Sequence, residues 1–466
     1  MMADKTKIMG LVSLPVLLFC LTFTLENVDV YKADKPAVCI DDSGWIYLVG
    51  NHSGNDIVKF IKKSTGAWSQ DSLLFSVVSS TGYNSRSSAA AGPNKTLHIL
   101  YRVQGGTYGW PVYTNNISGS FTTCDTLLKI SSLSTFHYGI AVDNLNHAHI
   151  VCEMYSGSYY LYYFYPYHPD SMVSLVTNAG DPTIAVAQDN TVHIAYLSTT
   201  NSKIYYLNNV GGAFGAPVLV SDTTGVDPSI AVDNAGKAHI CWTSGNVVAS
   251  SNLFYATNKT GTFQTTKITS NGYYGYSTIA LDKDNDVAIE YWKNTGVWND
   301  SASIWFASKK AADAVFTVDS VDKAYDNPSY GSITWNDRAL AFDSLQIAHF
   351  TYQGKVSGQN TIMYGKTTSP IGVDETVSVL LPKIQLQCYP NPGKAPVTIF
   401  SHSTAYVLIP LEVYDITGRI VRDLGEAYDD RAVWDGKDSK GCQVPGGVYL
   451  IKAKGFSNSA KLVIIE

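Results

Sequence analysis

The chain has 466 residues, 45% of them hydrophobic, 12% aromatic and only 15% charged, with a formal net charge of −6. That length exceeds one ordinary core, so more than one folded unit is expected. The low charge and the 31 tyrosines exclude a disordered chain, and the lack of any Lys/Arg cluster argues against a nucleic-acid partner.

The chain opens with Lys5 and Lys7 ahead of an apolar run from Ile8 to Phe23. A short basic stretch before roughly 7–15 apolar residues is the pattern of a secretory signal peptide. Residues 1–24 are assigned to export on this basis, which places the protein outside the cell or on its surface. Pro15 and the short run set the segment apart from a membrane span of about 20 residues. Outside it lie Cys39, Cys124, Cys152, Cys241, Cys388 and Cys442. They form no CxxC pair, which leaves zinc unsupported, and they are too sparse for a disulfide scaffold. A Cys388–Cys442 pair is the one bridge their positions suggest.

Residues 25–366 carry a repeat. Taking His239 as reference, equivalent positions are Tyr47, His98, His149, His193, His239, Ala288 and His349, at intervals of 51, 51, 44, 46, 49 and 61 residues. Eight places earlier stand Cys39, Ala90, Ala141, Ala185, Ala231, Ala280 and Ala341, and six places earlier five copies carry Asp41, Asp143, Asp233, Asp282 or Asp343. "SIAVD" reads as a strand apolar on both faces, the aspartate and Gly236 as a turn, and "AHICW" as the returning strand. Third strands follow ("KIYYLNN", "NLFYATN", "SIWFASK", "TIMYGKT"), then weaker fourth ones ("APVLVSD", "FQTTKIT", "AVFTVDS"). Four strands per copy and seven copies predict an all-β fold, a seven-bladed β-propeller. The last copy lacks a fourth strand, and residues 28–33 are expected to supply it, because an open ring would leave an unpaired edge.

Seven-fold repetition argues against the histidines as a catalytic centre, since an active site gathers different groups at one place. They read as structural, bonded to turn or neighbouring-blade groups. The acidic loop "DKDNDVAIE" offers Asp282, Asp284 and Asp286 as calcium ligands, but it lacks the EF-hand glycine and glutamate, so an acidic turn is favoured and no other cofactor is expected. Arg86, Arg102 and Arg338 are the only arginines before the C-terminal segment. A sialidase-like glycosidase would need such a triad, with Glu153 or Glu290 as acid, yet the sialidase sequence strings are missing. Aromatic stretches give the binding candidates: Tyr159, Tyr160, Tyr162 and Tyr163, with Trp110, Tyr273 and Tyr274. Their flat faces and polar tips suit sugars and protein surfaces, though tyrosines also fill space between blades.

Residues 367–384 read as a linker. Residues 385–466 then carry Tyr389-Pro390-Asn391-Pro392, Tyr414-Asp415, Gly418-Arg419, Trp434-Asp435-Gly436, Asp438, Gly441 and Gly447-Val448-Tyr449. In these residues the segment resembles the C-terminal sorting domain of type IX secretion substrates and the related Ig-like module of flagellar hook-capping proteins. It departs from the family at Cys388, commonly Asn, and Gly393, commonly Phe. The resemblance implies an Ig-like sandwich, with Pro390, Asn391, Pro392, Gly418, Trp434, Asp435, Gly436, Gly447 and Tyr449 as its sorting motif. It also implies delivery to outer-membrane secretion machinery. The short strands and turns of the segment agree with a sandwich. The resulting expectation is a secreted or cell-surface monomer, non-enzymatic, that binds glycan or a surface protein near inner-strand starts such as Asp181-Pro182, Asp227-Pro228 and Asn327-Pro328. A secreted sialidase-like hydrolase is the first alternative, and a structural surface-layer component the second.

Overall fold

The computed structural model describes residues 21–28, 34–52, 56–63, 66–73, 87–105, 108–121, 124–126, 134–165, 172–245, 250–270, 272–294, 303–323, 339–356, 359–371, 385–402, 410–426, 431–453 and 459–465. Strands dominate, and the one helical element among these residues is a single 3-10 turn at Pro93–Lys95. The chain divides into two compact units, 1–373 and 374–466.

In the first unit the described residues form seven four-stranded antiparallel sheets. Sheets 1 to 6 are each built from consecutive strands, spanning 34–73, 87–126, 134–177, 179–219, 226–267 and 273–323. Sheet 7 combines Leu340–Phe342, Ala348–Val356 and Gln359–Thr367 with an outer strand, Phe23–Asn27. The first strand of each sheet contacts the first strand of the next, and sheet 7 returns to sheet 1. These first strands are covered on both faces: Ile184 and Ala185 are both buried, as are Ile140 and Ala141. Small alanines let the strands approach where the sheets meet, and the larger neighbours fill the space between sheets.

One turn recurs between first and second strands. The Oδ1 atoms of Asp41, Asp143, Asp233, Asp282 and Asp343 each accept the backbone N–H groups two and four residues on, at 2.7–2.9 Å. The turn needs a left-handed residue three places after the aspartate, and Gly44, Asn146, Gly236, Asn285 and Gln346 supply it with φ of 63–76°. Side chains link these turns from sheet to sheet. Asn144 bonds Gln188 and Asn190, Gln188 bonds Asn234, Asn234 bonds Lys283 and Asn285, and Gln346 bonds Asp284.

The opposite ends of the first strands are built differently. Pairing slips between 135 and 138, 180 and 183, 226 and 229, and 275 and 278, so two residues oppose one. Such bulges re-aim side chains. They place His137, Asp181, Asp227 and Tyr276 at the starts of successive sheets.

The strand that completes sheet 7 differs from the expectation. It is Phe23–Asn27, paired with Met363–Thr367; of the expected 28–33, Val28 donates its N–H to Ile362, and residues 29–33 lie outside the described ones. The strand therefore begins inside the segment assigned to export. The reason is side-chain pattern: Leu21, Phe23 and Leu25 pack with Phe306 and Phe350 between sheets 6 and 7. Gly365 permits this, since a Cβ there would stand 2.2 Å from the Phe350 ring and 2.9 Å from Leu25. Replacing half-buried Phe23 by Ala is expected to cost roughly 2 kcal/mol, read from urea denaturation. An unchanged midpoint would mean that the strand does not hold sheet 7 together.

The second unit has a three-stranded sheet (Gln385–Tyr389, Val397–His402, Arg431–Trp434) and a four-stranded one (Ile420–Glu426, Pro410–Asp415, Gly447–Ala453, Ser459–Ile464). Their shared core centres on fully buried Trp434, which meets Tyr449 edge to face at 5.2 Å. The residues singled out in the sequence make this unit's joints. Asn391 bonds Lys461 O and Val463 N, Trp434 Nε1 donates to Lys437 O, and the Tyr449 hydroxyl donates to Pro445 O. Asp415, Asp435 and Asp438 cap turns in which Gly418, Gly436 and Gly441 take φ of 74–83°. Cys388 and Cys442 are both free thiols, so the suggested bridge is not formed.

Candidate functional site

The repeated histidines are structural, and the reason is visible in their partners. His98, His149, His193, His239 and His349 each place Nδ1 2.6–2.7 Å from a tyrosine hydroxyl on the third strand, Tyr113, Tyr163, Tyr206, Tyr255 and Tyr364 in turn. Nε2 of His149, His239 and His349 lies 3.1–3.4 Å from the turn aspartate. In sheet 1 Tyr47 replaces the histidine and its hydroxyl donates to Asp41 directly, at 2.8 Å. Burial pulls His98, His193 and His239 down to about 4, against the opposing pull of polar neighbours. They are neutral side chains, each tied to the third strand of its sheet by a tyrosine hydroxyl.

Sheet 6 breaks this pattern. Ala288 and Phe306 stand where histidine and tyrosine are found elsewhere, and Asp282 Oδ2 is left buried with no hydrogen-bond partner. Burial raises the Asp282 carboxyl accordingly. The three carboxylates weighed as calcium ligands serve separate partners: Asp282 caps the turn, exposed Asp284 meets Lys283 and Gln346, and Asp286 accepts from Ala311 N. Glu290 lies in the same sheet, 4% exposed, with Oε2 unpartnered; burial holds it well above the ordinary carboxylate range.

Different groups do converge at one place. His137 sits in the bulge of the first strand of sheet 3, Glu153 opposite it on the second strand, and Asp181 in the bulge that opens sheet 4. His137 Nδ1 is 2.7 Å from Glu153 Oε2 and 2.7 Å from Asp181 Oδ1. The Asp181 backbone N–H donates to the same Glu153 oxygen at 2.9 Å. Both carboxylates are nearly buried, while the imidazole keeps 19% of its side-chain surface. Gly180 makes room, since a Cβ there would come within 3.0 Å of Glu153 Oε2. Beside this group Tyr155 and Tyr159 face each other across the hairpin with ring centroids 4.9 Å apart, and Tyr155 is 41% exposed. Burial raises the Tyr159 hydroxyl, and the charges of Glu153, Tyr155 and Asp181 add to it.

The other aromatic candidates divide. Tyr163 and Tyr274 are buried, Tyr163 held by His149 and Phe214, and Tyr274 by Tyr291. Their faces are therefore closed to a ligand. Tyr160, Tyr162, Trp110 and Tyr273 are half-buried, and Tyr159 lies within electrostatic reach of Glu153 and Asp181. Of the three arginines, Arg86 and Arg338 lie outside the described residues, as does Asn327-Pro328; Arg102 is buried. His137 and Tyr155 were not among the sequence candidates. The signal was present: His137 is off the register of the repeated histidines, and Glu153 is the one carboxylate in a mostly apolar strand.

No protein-family model matches the chain, and no curated protein does. Among solved structures, a PL25 ulvan lyase with a GlcA- and Rha-containing ligand aligns with a TM-score of 0.53 at 11% identity, over 72% of this chain and 94% of its own. The β-propeller domain of a Myceliophteria thermophila protein aligns at 0.44 and 9% identity, over 74% and 99%. A mutant Aleuria aurantia lectin in complex with alpha-methyl-L-fucoside aligns at 0.40 and 9% identity, over 66% and 100%. At such identities the likeness to the lyase is one of fold.

Proposed function

We propose that the first unit is a seven-bladed β-propeller that binds glycan at the end of the ring carrying His137, Glu153, Asp181, Tyr155 and Tyr159. The reading extends to an exported protein whose C-terminal unit is an Ig-like sandwich serving as a sorting domain. One observation carries the glycan site: a cluster of unlike polar groups that the repeat does not generate, beside a tyrosine pair in which Tyr155 is exposed and Tyr159 half-buried. Aromatic faces stack on sugar rings, and fixed carboxylates and imidazole bond the hydroxyls that give orientation. The cyclic contact of seven four-stranded sheets supports the propeller.

A glycan-cleaving enzyme is the second reading, favoured by the fold shared with the ulvan lyase. The hydrolase form has less support. Its two carboxyls stand about 5–5.5 or 6.5–9.5 Å apart across the bond they cleave. Here the Glu153 and Asp181 oxygens lie within 4.8 Å of each other and share one imidazole.

A glycan array probed with the purified protein should show binding that Tyr159→Ala and Tyr155→Ala each weaken by about tenfold, the loss of one stacking contact of ~1.4 kcal/mol. Binding untouched by either variant would refute the placement. Turnover of a polysaccharide that Glu153→Gln abolishes would replace binder by enzyme. For export, removing residues 385–466 is expected to trap the protein in the periplasm, and undiminished surface display would remove the sorting role.

A further inference from the structure

We propose that His137, Glu153 and Asp181 bind one divalent transition-metal ion of the zinc class. The inference does not rest on glycan recognition. The three ligand atoms lie within 4.8 Å of one another and come from three strands in two sheets, so the fold and not a single loop holds them together. One imidazole nitrogen with two carboxylate oxygens suits zinc or manganese; calcium takes about six to eight oxygens. Glu153 is aimed by the Asp181 N–H at 2.9 Å, the kind of supporting bond that metal-binding carboxylates keep.

The set is specific to this place in the ring. Four residues after the repeat reference, where sheet 3 has Glu153, the other sheets have Asn51, Arg102, Leu197, Thr243, Trp292 and Gln353. In sheet 5 Asp227 occupies the bulge as Asp181 does in sheet 4, but the preceding sheet there has Leu197 where sheet 3 has Glu153. The bulge is thus a property of the repeat, and the imidazole with its second carboxylate is not.

The donor–acceptor distances of 2.7 Å are those of hydrogen bonds. Zinc at ~2.0–2.2 Å from each ligand would spread the atoms to roughly 3.3 Å, a movement within reach of side-chain rotation. The proton now on Nδ1 must leave to solvent as the metal–nitrogen bond forms. Metal and proton therefore compete, and affinity falls as the pH drops. Three protein ligands leave a further position for water or a sugar oxygen.

The test uses the full chain, stripped with a chelator and titrated with zinc chloride in a calorimeter. One equivalent is expected to bind. Glu153→Gln and Asp181→Asn should each weaken uptake by about 100-fold, with circular dichroism and the metal-free unfolding midpoint unchanged. Cobalt(II) should give visible d–d bands that His137→Gln removes. Absence of both heat and d–d bands, calcium uptake in place of zinc, or zinc uptake that survives all three substitutions overturns the proposal. The glycan array run on the stripped protein separates the two ideas: persistent glycan binding without zinc uptake overturns the metal site and leaves the glycan reading intact.

Discussion

Acidification from pH 6.5 to 4 is expected to strip the first unit of most of its stability. His98, His193 and His239 are buried and titrate at about 4 in the fold, whereas in the unfolded chain they take up protons near 6.5. Between those values the unfolded state binds more protons than the folded one. Stability is therefore full above 6.5, falls as the pH falls, and is lost below about 4. Each histidine contributes roughly 3 kcal/mol to that change, a large part of a total of about 5–15 kcal/mol. His193 gives the sharpest check, because its Nε2 has no hydrogen-bond partner: Ala187 stands where five of the other six turns have aspartate. Urea denaturation at several pH values should show a steep slope in the wild type and about a third less in His193→Gln. A midpoint constant from pH 7 to 4.5 would contradict the neutral assignment.

At the other end of the range, Glu290→Leu is expected to raise stability at pH 7–8 by roughly 1–3 kcal/mol. The carboxyl lies between sheets 6 and 7, paired across the strand with Phe306, and its Oε2 has no hydrogen-bond partner. Burial raises it well above the ordinary 4.5. Here the sign reverses. The folded state keeps a proton that the unfolded chain gives up, so stability falls as the pH rises past 4.5 towards the raised value. Leucine removes both the slope and the unmet polar atom; glutamine removes the slope but keeps the polar atom, and should gain less. Loss of stability in both variants would show that Glu290 has a partner that stabilises it. The two effects together place the stability maximum in the middle of the pH range.

A shared logic lies behind both predictions. The ring is held by polar groups that the sheets bury in pairs or triads, and its stability is sensitive wherever a copy lacks a member. Sheet 4 has the histidine without its aspartate; sheet 6 has the aspartate without its histidine. A buried polar atom left without a partner costs roughly 1–3 kcal/mol, so these two sheets are where substitutions change stability most readily.

Much of this architecture was legible in the sequence because it is local and repeated. Alternating apolar residues fixed the strands, the recurring aspartate and Gly236 marked the turns, and a spacing of 44–61 residues fixed the unit. Each of these properties acts within one hairpin, where neighbours in sequence are neighbours in space. The structural role of the histidines could be argued from their recurrence alone. Their tyrosine partners could not, because those sit 13–16 residues away on another strand. The closing strand was misplaced by about one strand length, since the choice between Phe23–Asn27 and 28–33 rests on packing against Phe306 and Phe350, more than 280 residues further on.

The candidate site belongs wholly to tertiary structure. His137, Glu153 and Asp181 are 16 and 28 residues apart and lie on three strands. No spacing rule brings them together; two bulges and the contact between sheets 3 and 4 do. By itself the sequence determined the repeat, the strand count per unit and the residues that build the turns, because hydrogen bonding and side-chain alternation act over a few residues. Only the folded ring decided which unlike groups would share one small volume, because that depends on which strand ends meet when the sheets pack.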